Sequence, residues 1–140
     1  MKLTKKNTFF IDLETGGLSS FYEGVCAVSI MRRGETTPET HLIKPKNSKY
    51  YSYEALKING LTAEKLFEEG KLESEVVSLL NKKFAETDTP YIVLIGQYIG
   101  GFDIKFLKEI SRYLPKPAFY ICTKELANRL LKKEGILKNL

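Results

Sequence analysis

Two acidic side chains, Asp12 and Glu14, stand out as residues that could do chemistry together. Asp12 and Glu14 sit in Thr8–Leu18, TFFIDLETGGL, where a hydrophobic run delivers two carboxylates just before a glycine pair. Side chains alternate along an extended strand, so residues i and i+2 point the same way. Two like charges held side by side repel and raise each other's pKa unless a cation lies between them, and all-oxygen ligands suit Mg²⁺ or Mn²⁺. For an isolated D-x-E the plainer reading, a solvated strand end, is the default. Here the residues Thr8, Phe9, Phe10, Ile11 and Leu13 read as a buried central strand, and a Thr-Gly-Gly turn follows directly. Asp103 lies about ninety residues later in GQYIGGFDIKFL, at the start of a helix carrying Phe102, Phe106, Leu107 and Ile110 on one face. An acid there also fits a plain cap, since negative charge favours the positive end of the helix dipole.

The elements that must position these acids follow from periodicity. Val25–Arg32 reads as a second strand buried on both faces, and Gly34–Pro38 as a hairpin connection to a third strand near Glu39–Ile43. Lys46–Gly60 reads as irregular, with Tyr50, Tyr51 and Tyr53 among lysines, a mixture able to stack bases and grip phosphates or simply to cover a core. Thr62 is a plausible N-cap for a helix over Ala63–Glu69. Leu72, Val76, Leu79, Leu80 and Phe84 have the spacing of an amphipathic helix, and Tyr91–Ile95 is a buried strand. Ala118–Cys122 is a final strand, and Thr123–Lys133 a helix with Leu126, Ala127, Leu130 and Leu131 inward. Alternation of strand and helix predicts an α/β fold with a parallel or mixed sheet.

With 140 residues, 43% hydrophobic and 28% charged, the chain reads as one domain. No stretch reaches the roughly 18 apolar residues of a membrane helix, and the basic start MKLTKKNTFF lacks a secretory signal, so no membrane association and a cytoplasmic location are expected. Cys26 and Cys122 read as buried thiols. A net charge of +5 favours a polyanionic partner through counterion release, although a solvated lysine-rich surface has the same composition. Lys124, Arg129, Lys132, Lys133 and Lys138 would make the C-terminal segment basic.

IDLETGGL resembles the first motif of the DEDD, DnaQ-like (DNA polymerase III epsilon-like) 3′–5′ exonucleases, whose usual form is D-x-E-T-T-G-L; Gly16 departs from the commoner threonine. GQYIGGFDIKFL resembles their second motif, G-x-N-x-x-x-F-D-x-x-F-L, with Tyr98 in place of asparagine. Two motifs in the right order are far more specific than either alone, because independent accidents multiply. The resemblance implies a ribonuclease H-like fold with a mixed five-stranded sheet and flanking helices. It implies a two-metal nuclease in which Asp12 bridges two Mg²⁺ or Mn²⁺ ions, Glu14 holds the ion carrying the attacking water and Asp103 supports the second. Thr15, Gly16, Gly17, Leu18, Tyr98 and Phe102 would then contact the substrate, a single-stranded DNA or RNA 3′ end, and a polymerase or other protein would be a possible partner. The family's third motif, an Asp ligand preceded by His or Tyr on a C-terminal helix, has no match before Leu140, and its secondary Asp-Thr is Cys122-Thr123 here. His41, the only histidine, reads as a sheet residue. The expectation is a single exonuclease-like domain over residues 1–140 without that helix, with weak metal affinity and little or no activity alone. The alternative is a non-catalytic nucleic-acid-binding or interaction module on the same fold.

Overall fold

The structure, a computed structural model, describes residues 1–112 and 114–133. The strand β1 (Thr8–Thr15) alternates as its sequence demands: Phe9, Ile11, Leu13 and Thr15 are buried, Phe10 and Asp12 are exposed, and Glu14 is half-buried. Phe10 therefore departs from the expectation of a strand buried throughout. It shares parity with Asp12 and Glu14, and the opposite parity is claimed by the larger apolar set.

Around β1 lies a five-stranded sheet in the order β3-β2-β1-β4-β5, formed with β2 (Val25–Arg32), β3 (Glu39–Leu42), β4 (Ile92–Gly96) and β5 (Ala118–Cys122). The β1–β2 and β2–β3 pairs are antiparallel, whereas β1–β4 and β4–β5 are parallel, so the sheet is mixed as expected. Five helices connect or flank the strands: α1 (Tyr53–Ile58), α2 (Ala63–Glu69), α3 (Glu73–Ala85), α4 (Asp103–Ile110) and α5 (Thr123–Lys133). On one face Val76, Leu80 and Phe84 of α3 and Phe106 and Leu107 of α4 pack with Phe9, Ile11, Leu13 and Leu94. Phe9 meets Phe84 edge to face at 5.2 Å between ring centroids.

The opposite face is the one that carries the acids. Register aligns Glu14, Ala27 and Leu42 in one row across the sheet. Leu42 packs against Leu56 of α1 and Leu66 of α2, so these two helices cover the β2–β3 end of that face. Toward β4 the cover stops, leaving Phe10, Met31 and Ile95 as a row with none of its members fully buried.

Several local expectations change. The irregular stretch over 46–60 contains α1, a helix too short for a periodic signal, capped by Ser52 accepting the Ala55 N–H at 3.1 Å. Thr62 caps α2 as predicted, accepting from the Lys65 N–H at 3.1 Å. In α3 only Val76, Leu80 and Phe84 are buried; Leu72 precedes the helix and is exposed with Leu79. No α5 residue is buried, and Leu126 and Leu130 are about half exposed, because the helix leaves the edge strand β5 with no described element across its apolar stripe. Lys138 lies outside the described residues. Cys26 and Cys122 are buried free thiols, as expected. Among the described residues no helix is long and apolar enough to cross a membrane.

The loop after β1 is locked by its backbone. Gly16 N–H donates to Gly24 O at 2.8 Å, and Gly16 O accepts from Ser52 N–H at 2.8 Å. A Cβ on Gly16 would lie 2.8 Å from Tyr51 Cα and 2.9 Å from Tyr50 O, atoms that cannot swing aside. The departure from threonine at this position thus has a steric cause. Gly16→Thr is expected to cost on the order of 1–3 kcal/mol, read as a lower urea midpoint with an unchanged slope; an unchanged midpoint would contradict the packing described.

Candidate active site

β1 holds Asp12 and Glu14 on its uncovered side, opposite Ser29 and Ala27 of β2, whose small side chains leave room beside the acids. Asp103 arrives from another direction. The β1–β4 pairing ends at Phe10–Ile95, and Gly96 lies so close to β1 that a Cβ there would be 2.8 Å from Ile11 O. Past that point the strands part, and the Leu13 N–H is left facing the gap. Asp103 fills it, its Oδ2 accepting from the Leu13 N–H at a long 3.4 Å. The N-cap of α4 is Phe102, without a side-chain cap bond, so the Asp103 carboxylate is not spent on capping.

The three acids influence one another. Burial pushes Asp103 up to about 6, the Leu13 N–H pulls it back, and the charges of Asp12 and Glu14 add to the rise. Glu14 is raised by its partial burial first and by neighbouring Asp12 second. Negative charge reaches further still: Cys26, raised first by burial and then by Glu14, is pushed up to about 12 and stays a protonated, unreactive thiol. Mutually repelling hard oxygen donors fit a divalent cation by chemical type. As arranged here they do not close into a ready-made ligand set; among the described residues no three His, Cys, Asp or Glu side chains do.

Two hollows flank the pair on β1. On one side a groove of about 450 Å³ is lined by Glu14, Thr15, Gly17, Leu18 and Phe102, together with Ser52, Ala55, Ile58 and Asn59. Leu18 is 87% exposed and Ile58 84%, an apolar surface presented to solvent beside a carboxylate. Thr15 Oγ1 donates to Gly17 O at 2.7 Å, and Glu23 accepts the Ser19 N–H at 3.1 Å, bracing the loop from within. Through α1, which the sequence reading left irregular, Ala55 and Ile58 join Ser52 and Asn59 in lining this groove. On the other side a cavity of about 430 Å³ touches Asp12, Phe10, Met31, Gln97 and Thr123.

The remaining predicted residues are placed differently. Gly16 does not line the groove, and its role here is the backbone lock. Tyr98 also lies off the groove, at φ 52° in the left-handed region, with its carbonyl accepting the Phe102 N–H at 3.1 Å. His41 is a buried sheet residue on β3, as expected, with Nδ1 3.1 Å from Lys71 Nζ and Nε2 3.4 Å from Glu39.

No protein-family model matches the chain, and no curated protein matches it. Solved structures do. The zinc-bound E. coli exonuclease I–ssDNA complex superposes with TM-score 0.75 at 18% identity over 91% of this chain and 30% of the other. The metal-free form of the E. coli exonuclease I–ssDNA complex gives 0.71 at 19% identity, covering 91% and 31%. A moderately thermophilic exonuclease I from Methylocaldum szegediense gives 0.73 at 19%, covering 89% and 29%. The fold is the ribonuclease H-like α/β fold of these nucleases. The chain spans about 30% of the length of the exonuclease I chains it matches.

Because Asp103 holds its proton more tightly folded than unfolded, its ionisation weakens the metal-free fold progressively from about pH 4 to about pH 6. Asp103→Asn keeps an oxygen for the Leu13 N–H and removes that charge. In EDTA at pH 7 it is expected to stabilise the chain by on the order of 1–3 kcal/mol, with the gain vanishing below pH 4, as followed by urea unfolding across pH.

Proposed function

We propose that this chain is a metal-dependent 3′–5′ exonuclease domain that hydrolyses single-stranded nucleic acid. The observation that carries the reading is the convergence of negative charge where β1 and β4 part: Asp12 and Glu14 on the open strand face, and Asp103 turned back onto the Leu13 amide between them. Mg²⁺ or Mn²⁺ would be held by Asp12, Glu14 and Asp103. When bound, such ions activate a water and stabilise the leaving oxygen of a phosphodiester.

The chain's own groups account for binding and orientation. Leu18, Ile58 and Phe102 offer an apolar wall to the terminal nucleoside, and Thr15, Gly17 and Asn59 border it with polar edges. Ser29 and Ala27 leave the space beside the acids open to the phosphate. The net charge of +5 supplies sequence-independent attraction to a polyanion. Structures that share the fold include exonuclease I bound to ssDNA and SSB/exonuclease I with an inhibitor. By analogy a single-strand-binding or polymerase partner is in keeping with the whole protein.

A second reading has its own support: the acids do not form a closed ligand set among the described residues, which suits a module that binds nucleic acid without cutting it. Melting and trimming assays separate the two. Saturating Mn²⁺ is expected to raise the melting temperature of the chain and to do so less for Asp12→Ala. Shortening of a 5′-labelled oligonucleotide from its 3′ end is expected to be slow, and to fall by at least about a hundredfold in that variant. Salt-dependent binding that ignores EDTA and Asp12→Asn, with no Mn²⁺ effect on melting, would instead favour the non-catalytic module.

A further inference from the structure

No large apolar side chain among the described residues is more exposed than Leu18, yet the backbone on either side of it is held fast. Before it, the Gly17 carbonyl accepts from Thr15 Oγ1 at 2.7 Å. After it, Ser19 opens a turn closed by three bonds: Ser19 N–H donates to Glu23 Oε2 at 3.1 Å, Glu23 N–H to Ser19 O at 2.8 Å, and Tyr22 N–H to Ser19 Oγ at 3.3 Å. The carbonyls inside the turn are taken up as well, with Lys49 Nζ donating to Ser20 O at 3.1 Å and to Phe21 O at 2.7 Å. Tyr50 N–H then donates to Tyr22 O at 2.8 Å, tying the turn to the segment before α1. An apolar side chain on a free loop can fold inward out of water, whereas this backbone keeps Leu18 facing solvent.

The residue at the centre of this arrangement is Glu23. A Cβ built onto Gly17 would come 2.7 Å from Glu23 Cδ and Oε1 and nearer still to Cγ, so the glutamate side chain lies against the glycine backbone and fills the space a larger residue would need. From there its other oxygen reaches the Ser19 N–H. Gly17 and Ser19 are the sequence neighbours of Leu18, so a single side chain braces both flanks of the leucine. A charged acceptor makes a stronger bond to a backbone N–H than a neutral one. Leu18 lines the groove beside Glu14, and Glu23 does not, so any influence of Glu23 on a ligand there runs through the leucine. We propose that Glu23 is a positioning residue, fixing Leu18 against the terminal base of a single strand so that the groove favours an end bearing a base, whatever its identity. Apolar contact is tolerant of sequence because every base has a π-face. The proposal rests on the nucleic-acid reading of the groove and adds to it the residue that holds its wall in place.

Fluorescence anisotropy on the full chain, in EDTA so that no cutting occurs, compares a 5′-labelled single-stranded oligonucleotide with the same strand lacking only its 3′-terminal base. The wild-type chain is expected to prefer the intact end about tenfold, the scale of one stacked base. Glu23→Ala, Leu18→Gly and Gly17→Ala are each expected to lower that preference to about threefold or less. Adding Glu23→Ala to Leu18→Gly is expected to lower it no further than Leu18→Gly does alone. Glu23→Gln keeps an acceptor for the Ser19 N–H and the packing on Gly17, and is expected to retain the preference. Loss of a negative charge strengthens binding of both strands alike, an effect that Glu68→Gln, an exposed change on α2, measures separately. Should Glu23→Ala fail to fold, Gly17→Ala tests the same contact from its other side. An unchanged preference in the folded variants, or a further fall when Glu23→Ala joins Leu18→Gly, overturns the role of Glu23 and leaves the nucleic-acid reading standing. Equal binding of both strands by the wild-type chain means that the groove does not read the terminal base, and the proposal fails. No binding of either strand removes the nucleic-acid reading itself.

Discussion

Negative charge placed where it is costly organises this molecule. Asp103 is only 5% exposed, yet it faces Asp12 and Glu14 across the gap where β1 and β4 part, with a single long backbone hydrogen bond to offset its burial. A fold with no need for those charges would place apolar or neutral residues there, as it does along the rest of the β1–β4 seam, where Phe9, Val93 and Leu94 are fully buried. The strain is tolerable because the seam is otherwise well packed, through Phe9 against Phe84 and through α4 against the sheet.

The same gap determines the shape of the surface. Pairing with β1 stops at Phe10–Ile95, and after β4 ends at Gly96 the chain turns through the glycine pair at 100–101 before α4 begins at Asp103. That turn sends Phe102 into the groove beside Glu14 and leaves Tyr98 half exposed in the left-handed region. Across β1, the loop through Gly16 and Gly17 folds tightly against Tyr51 and Glu23 and lifts Leu18 into solvent at the groove's mouth. The hollows on either side of the acids are thus two consequences of one divergence between strands. Likeness to exonuclease I at under 20% identity is consistent with this, since such a layout depends on parity, register and a few small residues rather than on most side chains.

Not all of the surface follows the acids. The row Phe10–Met31–Ile95 and the apolar stripe of α5 lie on ground that the described residues leave uncovered. Amphipathic spacing in α5 is a property of the helix, but burial requires a second element, and periodicity cannot supply one.

Much of this was legible in the chain before folding. Period-two spacing put Asp12 and Glu14 on one side of a strand, the glycine pairs marked turns, Thr62 marked a helix start, and Val25–Arg32 and Ala118–Cys122 emerged with the boundaries read from their apolar runs. These are local matters, governed by backbone sterics and side-chain alternation. Tertiary structure alone decided that Phe10 faces outward, that Gly16 must lack a side chain because Tyr51 crosses it, that α1 forms and contributes Ile58 and Asn59 to the groove, and that Lys124 comes to rest over Tyr98. Each depends on contacts between segments distant in sequence, and no local pattern encodes which segments will meet.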